Sequence, residues 1–394
     1  MYENFQYYTP TKVLFGRNTE SQVGQQIKAF GGTKVLIHYG GGSAVRSGLI
    51  GRIRASLDAA GISYVELGGV VPNPRLCKVY EGIELGRREN IDFILAVGGG
   101  SVIDSSKAIG YGLANEGDVW DLYEHIKEAK ACLPIGCVLT IAAAGSEMSN
   151  GSVITNEKTG QKRAYDADLS RPKFAVMNPE LTMSLPQYQT ASGVADILMH
   201  TMERYFNQNH NMEITDTISE GLMRTVMKNA KLLMTEPTNY EARAEVMWAG
   251  SLSHNGLTGC ATGGGDWACH NMEHEMGGLF DVAHGAGLAA VWSSWAEYVW
   301  RAAPHRFVKF ATNVLCVEPG ANDEETVMRG IAAMKAFYHE IHMPVNMKEL
   351  GIAPTDEQIL HMAKGCAAAC GGTAGCVIPL SVEDMVRIYT EARG

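Results

Sequence analysis

Along the first 180 positions, apolar residues come in short β-branched runs that stop at glycines, separated by stretches with helical spacing. TKVLIHY (33–39) and IDFILAV (91–97) are nearly continuous apolar runs, the pattern of strands buried on both faces of a parallel sheet. IGCVLTI (135–141), GSVIT (151–155) and KFAVMN (173–178) predict further strands, while residues 44–60 and 75–90 predict covering helices. Repeated strand, glycine turn and helix predicts an α/β fold with a doubly wound, Rossmann-like parallel sheet. From Pro186 the apolar positions fall at i, i+3 and i+4, as in ILMHTMERYF, ISEGLMRTVMKNAKLLM and IAAMKAFYHEIH. That spacing predicts an all-α second half. The loop-forming NPELTMSLP (178–186) marks the change, giving two expected domains, 1–185 and 186–394.

Composition narrows the class. A chain of 394 residues exceeds the reach of a single core, and 46% hydrophobic with 19% charged residues describes a soluble globular protein. MYENFQYYTP carries no basic-then-apolar leader, and there is no apolar run of about 20 residues, so a cytoplasmic location is expected. The net charge of −10, from 33 basic and 43 acidic side chains, opposes phosphate backbones and anionic lipid. Nucleic acid and membrane are set aside as partners, leaving a small molecule. Nine cysteines without paired short spacings read as reduced thiols. Cys366, Cys370 and Cys376 in CAAACGGTAGC fit no familiar zinc or iron–sulfur spacing and read as small-residue packing.

Five side chains in the helical half change the picture. Asp196 and His200 lie i,i+4 in GVADILMHTME, and His270 and His274 repeat that spacing in DWACHNMEHEMGGLFDVAHG, with His284 beyond an expected helix break at Gly277-Gly278. On helices each pair shares a face, and a borderline divalent ion takes imidazole and carboxylate ligands from two or three rigid elements. A single histidine on an apolar helix is ordinarily a core residue. Three of twelve within fifteen residues, beside glycine breaks, favour a metal site in which all five groups stand level.

The α/β half adds two glycine turns. VGGGSVIDSSK (97–107) follows one predicted strand and opens a helix, and YGGGSAVRSG (39–48) follows another. Backbone N–H groups at such a helix start can take a pyrophosphate. Neither turn fits the G-x-G-x-x-G fingerprint, and no P-loop occurs. An NAD site ordinarily places a carboxylate after a strand for the ribose 2′-hydroxyl, which would repel a 2′-phosphate. Here Gly40, Gly41, Gly42 and Ser43 stand there with Arg46 close by, so NADP(H) is expected.

The combination of GGGSxxDxxK, GSE, Asp-x3-His and His-x3-His-x9-His-Gly resembles the iron-containing alcohol dehydrogenase family over nearly the whole chain. YGGGS (39–43), PNPR (72–75), AVGGGSVID (96–104) and DWACHNMEHEMGG (266–278) are most similar to its branch of NADPH-dependent butanol dehydrogenases and broad-range aldehyde reductases. The resemblance implies a dehydroquinate-synthase-like α/β domain followed by a helical one. It places metal ligands on Asp196, His200, His270 and His284, leaving His274 as the catalytic histidine. It places pyrophosphate contacts on Gly99, Gly100 and Ser101 with Asp104 in the following helix, the 2′-phosphate region on Gly41, Gly42 and Ser43, and further cofactor contacts on Asn73, Thr140 and Lys162. The family name points to Fe2+, although a His3Asp set also accepts Zn2+. TIAAAGSE (140–147) stands where many members read TTxGTGSE, so Ala142, Ala143 and Ala144 replace hydroxyls expected near the nicotinamide. The implied reaction is hydride transfer between NADP(H) and a small aldehyde or primary alcohol such as butanal or butanol, with reduction favoured. Trp267 and Phe280 are candidate pocket walls, and YYTPTKVLFG (7–16) suggests strand pairing across a homodimer. Rival readings are a glycerol-dehydrogenase-like polyol oxidoreductase and a zinc peptidase built on the H-x-x-E-H of His270 to His274. A non-enzymatic scaffold on the same fold is opposed by the intact ligand set.

Overall fold

The computed structural model describes residues 3–209 and 212–394. They form two compact units: Thr9–Ser184, and Leu185–Gly394 together with the segment that ends at Tyr8. Residues 3–8 therefore group with the helices and not with the sheet.

In the first unit the strands are β1 (Lys12–Phe15), β2 (Lys34–Gly40), β3 (Ser63–Val70), β4 (Phe93–Gly98), β5 (Ile135–Leu139), β6 (Gly151–Asn156), β7 (Gln161–Asp166) and β8 (Phe174–Met177). Six of them form one sheet in the order β1-β8-β5-β4-β2-β3, every pairing parallel. Helices α1 (Val23–Ala29), α2 (Ser43–Arg46), α3 (Leu49–Ala60), α4 (Leu76–Glu89), α5 (Gly100–Ala114) and α6 (Trp120–Tyr123) complete the unit. Alternate sheet residues Val35, Ile37, Phe93, Leu95, Val97, Val138, Phe174 and Val176 meet Ile27, Ile50, Ile53 and Leu57 of the helices. Burying each such side chain contributes roughly 1.5–3 kcal/mol. The chain runs from β2 outward to β3, then crosses to the other side of β2 to make β4. Ligands of open α/β sheets bind at such a switch point, off the carboxyl ends of the strands.

Three local expectations change. The helix foreseen over 44–60 is two helices, because Gly48 adopts a left-handed conformation (φ 73°) between them. GSVIT leaves the sheet: β6 pairs antiparallel with β7, and Thr155 N donates to Pro74 O at 2.8 Å, fastening this hairpin to the loop after β3. SYVELGGV gives no apolar run, yet it is the edge strand β3, where most positions keep some solvent contact.

The second unit contains α7 (Gln187–Tyr205), α8 (Glu213–Thr235), α9 (Tyr240–His254), α10 (Ala268–Phe280), α11 (His284–Val299), α12 (Pro304–Asn313), α13 (Asp323–Glu340), α14 (Met347–Leu350), α15 (Asp356–Ala369) and α16 (Val382–Ala392). Helices α7 and α11 are buried around most of their circumference and pack on each other, while α10 packs on α11. The expected break at Gly277-Gly278 does not occur. Helix α10 continues to Phe280 and ends at Asp281, whose left-handed backbone (φ 52°) turns the chain, so that His284 becomes the first residue of α11. Among the described residues no helix is long and apolar enough to cross a membrane.

Candidate active site

Helix α7 carries Asp196 and His200 one turn apart, α10 carries His270, and the first turn of α11 carries His284. Their side chains converge on one oxygen. Asp196 Oδ1 lies 3.3 Å from His200 Nδ1, 3.8 Å from His270 Nε2 and 3.8 Å from His284 Nε2. Ligand atoms of Asp196, His270 and His284 all fall within 4.8 Å of one another, whereas His200 flanks that trio. Among the described residues Asp196 Oδ1, His200 Nδ1 and His270 Nε2 are buried without hydrogen-bond partners. Each such atom costs about 1–3 kcal/mol if left so. An ion bound at about 2.1 Å holds tetrahedral ligands about 3.4 Å apart, so both the spacing and the donor set fit a divalent metal. His274 stands beside the trio, its ring stacked 5.7 Å from that of His284.

The surroundings contain residues that spacing alone did not single out. Glu203 Oε1 accepts from His270 N at 2.9 Å and from His270 Nδ1 at 3.0 Å, and Glu273 Oε2 bonds His284 Nδ1. Both were visible in principle: Glu203 is i+3 from His200 and Glu273 is i+3 from His270, on the faces that carry the ligands. Arg204 donates to His200 O (2.7 Å) and Ser253 O (3.1 Å), bonds His254 Nδ1, and lies over the Trp267 ring. The His254 ring sits 4.0 Å from His200. Trp267, left-handed at φ 62°, starts α10 with its ring 5.1 Å from that of His270, whereas Phe280 ends the helix about 20 Å further along its axis. Asp266 accepts from Ala268 N, Cys376 N and Val377 N, pinning this start to the 376–377 segment. Burial and the Glu203 carboxylate push Asp266 up to about 7. Burial also opposes charging His270, yet the Asp196 and Glu203 carboxylates outweigh it and raise its pKa. Burial, together with neighbouring His254, His270 and Arg204, drives His200 well below the ordinary value.

In the sheet unit, Gly40 closes β2 and Gly41–Ser43 follow it, Gly99–Ser101 follow β4 and Thr140 follows β5, all at the carboxyl edge of neighbouring strands. Gly42 has φ 110°, and a Cβ on Gly99 would lie 2.0 Å from Ile141 Cγ2, so neither position tolerates a side chain without strain. A Cβ on Gly100 would lie 2.9 Å from Ala144 Cβ, so Ala144 of TIAAAGSE packs against the turn. Asn73, left-handed at φ 52° and buried, follows β3, and Lys162 lies on β7 in register with Thr155. Asp104 is drawn away from the open turn, its oxygens accepting from Ser146 Oγ (2.5 Å) and Val153 N (3.0 Å). Lys107, fully buried, donates to Ser146 O, Ser149 O and Gly151 O at 2.7–3.1 Å, tying α5 to the same loop. The GGGSxxDxxK motif thus carries internal fastening as well as the turn.

Comparison with known proteins decides the family. The pattern described as "Iron-containing alcohol dehydrogenase" matches residues 10–179, and "Fe-containing alcohol dehydrogenase family, C-terminal" matches residues 190–393. The chain belongs to the iron-containing alcohol dehydrogenase family. Within it, the chain is 39% identical over 392 residues to NADH-dependent butanol dehydrogenase A of Clostridium acetobutylicum, covering 99% of both. It is 34% identical over 352 residues to the NADPH-dependent aldehyde reductase YqhD of Escherichia coli, covering 89% of both. The crystal structure of NADH-dependent butanol dehydrogenase A from Thermotoga maritima superposes with a TM-score of 0.96 at 39% identity, covering 100% of this chain and 99% of that one. The resemblance read from the motifs, to the butanol dehydrogenase and aldehyde reductase branch, is therefore correct, as is the two-part fold it implied.

Proposed function

We propose that this protein is a divalent-metal-dependent oxidoreductase that moves hydride between NADP(H) and a small aldehyde or its primary alcohol, in the size class of butanal and butanol. The observation that carries the reading is the convergence of Asp196, His270 and His284, with His200 beside them, in a chain of this family. These four residues would hold the ion, Fe2+ or Zn2+. When bound, the ion supplies Lewis-acid stabilisation of charge on the substrate oxygen, and the nicotinamide supplies hydride. His274 exchanges the accompanying proton with that oxygen. Trp267, its ring 5.1 Å from that of His270, is the candidate wall of the site. Gly99, Gly100 and Ser101 offer the pyrophosphate the amides at the start of α5. The peptidase reading loses ground because Glu273, the base it needs, has no exposed surface and is engaged with His284.

The preference for NADP(H) is supported by the turn after β2. Gly40–Gly42 present no carboxylate, and a Cβ on Gly42 would lie 3.1 Å from Arg46 Nη1, so a guanidinium packs over the turn. The adjacent carboxylate, Glu66 on β3, is engaged by Arg54 at 2.6 and 2.8 Å. NAD(H) is the second reading, favoured by the names of the Clostridium and Thermotoga relatives. Steady-state kinetics with both cofactors and C2 to C8 aldehydes decide between them. NADPH is expected to give the higher kcat/KM, and Arg46→Ala to lower it about tenfold or more while sparing NADH. A wild-type preference for NADH would overturn the assignment.

A homodimer and a cytoplasmic location belong to the same reading. Among the described residues β1 pairs with β8 alone, and Phe15 on it is 40% exposed, which leaves an edge able to pair with a second copy. Light scattering is expected to give twice the chain mass of 42.6 kDa, and a monomer removes the proposal.

A further inference from the structure

We propose that the metal ligands are unequal: Asp196, His270 and His284 form a rigid core positioned by the buried carboxylates of Glu203 and Glu273, and His200 is an adaptable fourth ligand. The inference rests on the metal-binding reading above.

The two core histidines are built alike from different helices. Glu203 Oε1 takes both the backbone N–H and the Nδ1 of His270, so ring and helix start are fixed by one oxygen. Glu273 Oε2 holds His284 Nδ1 across the α10–α11 turn. In each case a proton on Nδ1 leaves the Nε2 lone pair aimed at Asp196 Oδ1, 3.8 Å away. The carboxylates are 2% and 0% exposed, so water does not compete for them. An anionic acceptor on one imidazole nitrogen fixes the tautomer and makes the other nitrogen a stronger donor.

Among the described residues, none gives the His200 ring this support. It presents Nδ1, not Nε2, to Asp196 Oδ1, and it flanks the trio whose atoms share the 4.8 Å limit. Its ring packs at a tilt against its neighbours, 4.0 Å from His254 and 4.6 Å from His270, and Arg204 donates to its backbone carbonyl. Such ring contacts are less directional than a hydrogen bond to a buried carboxylate, so they restrain the ring's rotation less. Glu273, His274 and His284 also bring ligand atoms within 4.8 Å, but an ion there must displace the proton that Glu273 holds on His284. One ion per chain is therefore expected.

The test is competition of full-length protein against a chromophoric chelator for Zn2+ and Co2+, with the Co2+ d–d absorption as a second readout. Glu203→Gln and Glu273→Gln should each weaken ion affinity about 10- to 100-fold and shift the Co2+ bands. His200→Asn should lose less affinity than His270→Asn. Circular dichroism of the ion-free variants, expected to match wild type, separates lost affinity from lost fold; if one Gln variant fails to fold, the other carries the test. Wild-type affinity and an unchanged Co2+ spectrum in both Gln variants overturn the ligand order, as does equal loss in His200→Asn and His270→Asn. A second equivalent bound as tightly as the first also counts against it. A wild-type protein that binds neither ion overturns the metal reading itself.

Discussion

His270→Asn and His284→Asn are expected to release the divalent ion and to lose turnover with it. Each histidine brings an Nε2 to within 3.8 Å of Asp196 Oδ1, and the two stand on separate helices, so neither can take the other's place. Removing either leaves Asp196, His200 and one remaining histidine, three donors where the site has four. Lewis-acid stabilisation is worth several kcal/mol, and each 1.36 kcal/mol is tenfold, so loss of the ion should slow aldehyde reduction on the order of a thousandfold or more. Metal content by plasma emission and NADPH oxidation measured on the same samples check this together. An ion-free variant that keeps its activity would refute the assignment. His274→Ala is the contrast: it should retain the ion and lose about a hundredfold or more in rate, the range of a proton-transfer residue. Loss of metal there would make His274 a ligand.

Arg306→Leu should destabilise the helical unit by roughly 3–5 kcal/mol, because it strands a buried carboxylate. Arg306 is 1% exposed and Asp216 2%. The guanidinium donates to Asp216 Oδ2 at 2.8 Å and Oδ1 at 2.7 Å, and to Tyr205 O at 2.9 and 2.6 Å, joining α12 to α8 and to the end of α7. Lys309 also reaches Asp216, at 2.6 Å, so the loss should sit toward the lower end of that range. The sign with pH follows from Asp216. Burial raises its pKa, but the hydrogen bonds from Arg306 and Lys309 outweigh burial and hold it below the ordinary carboxylate value. Its contribution is complete above the unfolded pKa of about 3.9 and is lost as pH falls through the folded value. The gap between wild type and Arg306→Leu in urea unfolding should therefore be widest near neutrality and narrow in the acid arm. A gap independent of pH would assign the effect to lost packing alone.

Much of this molecule was legible because burial on both faces of a sheet imposes a one-dimensional signal. The runs that became β2 and β4 could be read directly, since every position of β4 is buried. An edge strand carries no such signal, which is why β3 with its Glu66 and paired glycines escaped notice. GSVIT has strand character, but nothing local says which sheet it joins, and pairing with the polar QKRAYD across a short turn won. In the site, the i,i+4 pairs exposed Asp196 with His200 and His270 with His274, while the division of labour among them came from resemblance.

What the sequence determined by itself is the periodicity, the glycine turns and the chemical inventory of the site, because each is a property of neighbouring residues on one element. Which atoms meet was decided only by tertiary structure. His284 reaches Asp196 because Asp281, and not the glycine pair before it, turns the chain between α10 and α11. Glu203 finds His270 across 67 residues, and Asp104 faces the Ser146 hydroxyl in place of the open turn, since the direction of a side chain depends on the helix packed against it. Spacing fixes the face on which a group lies; packing fixes its partner.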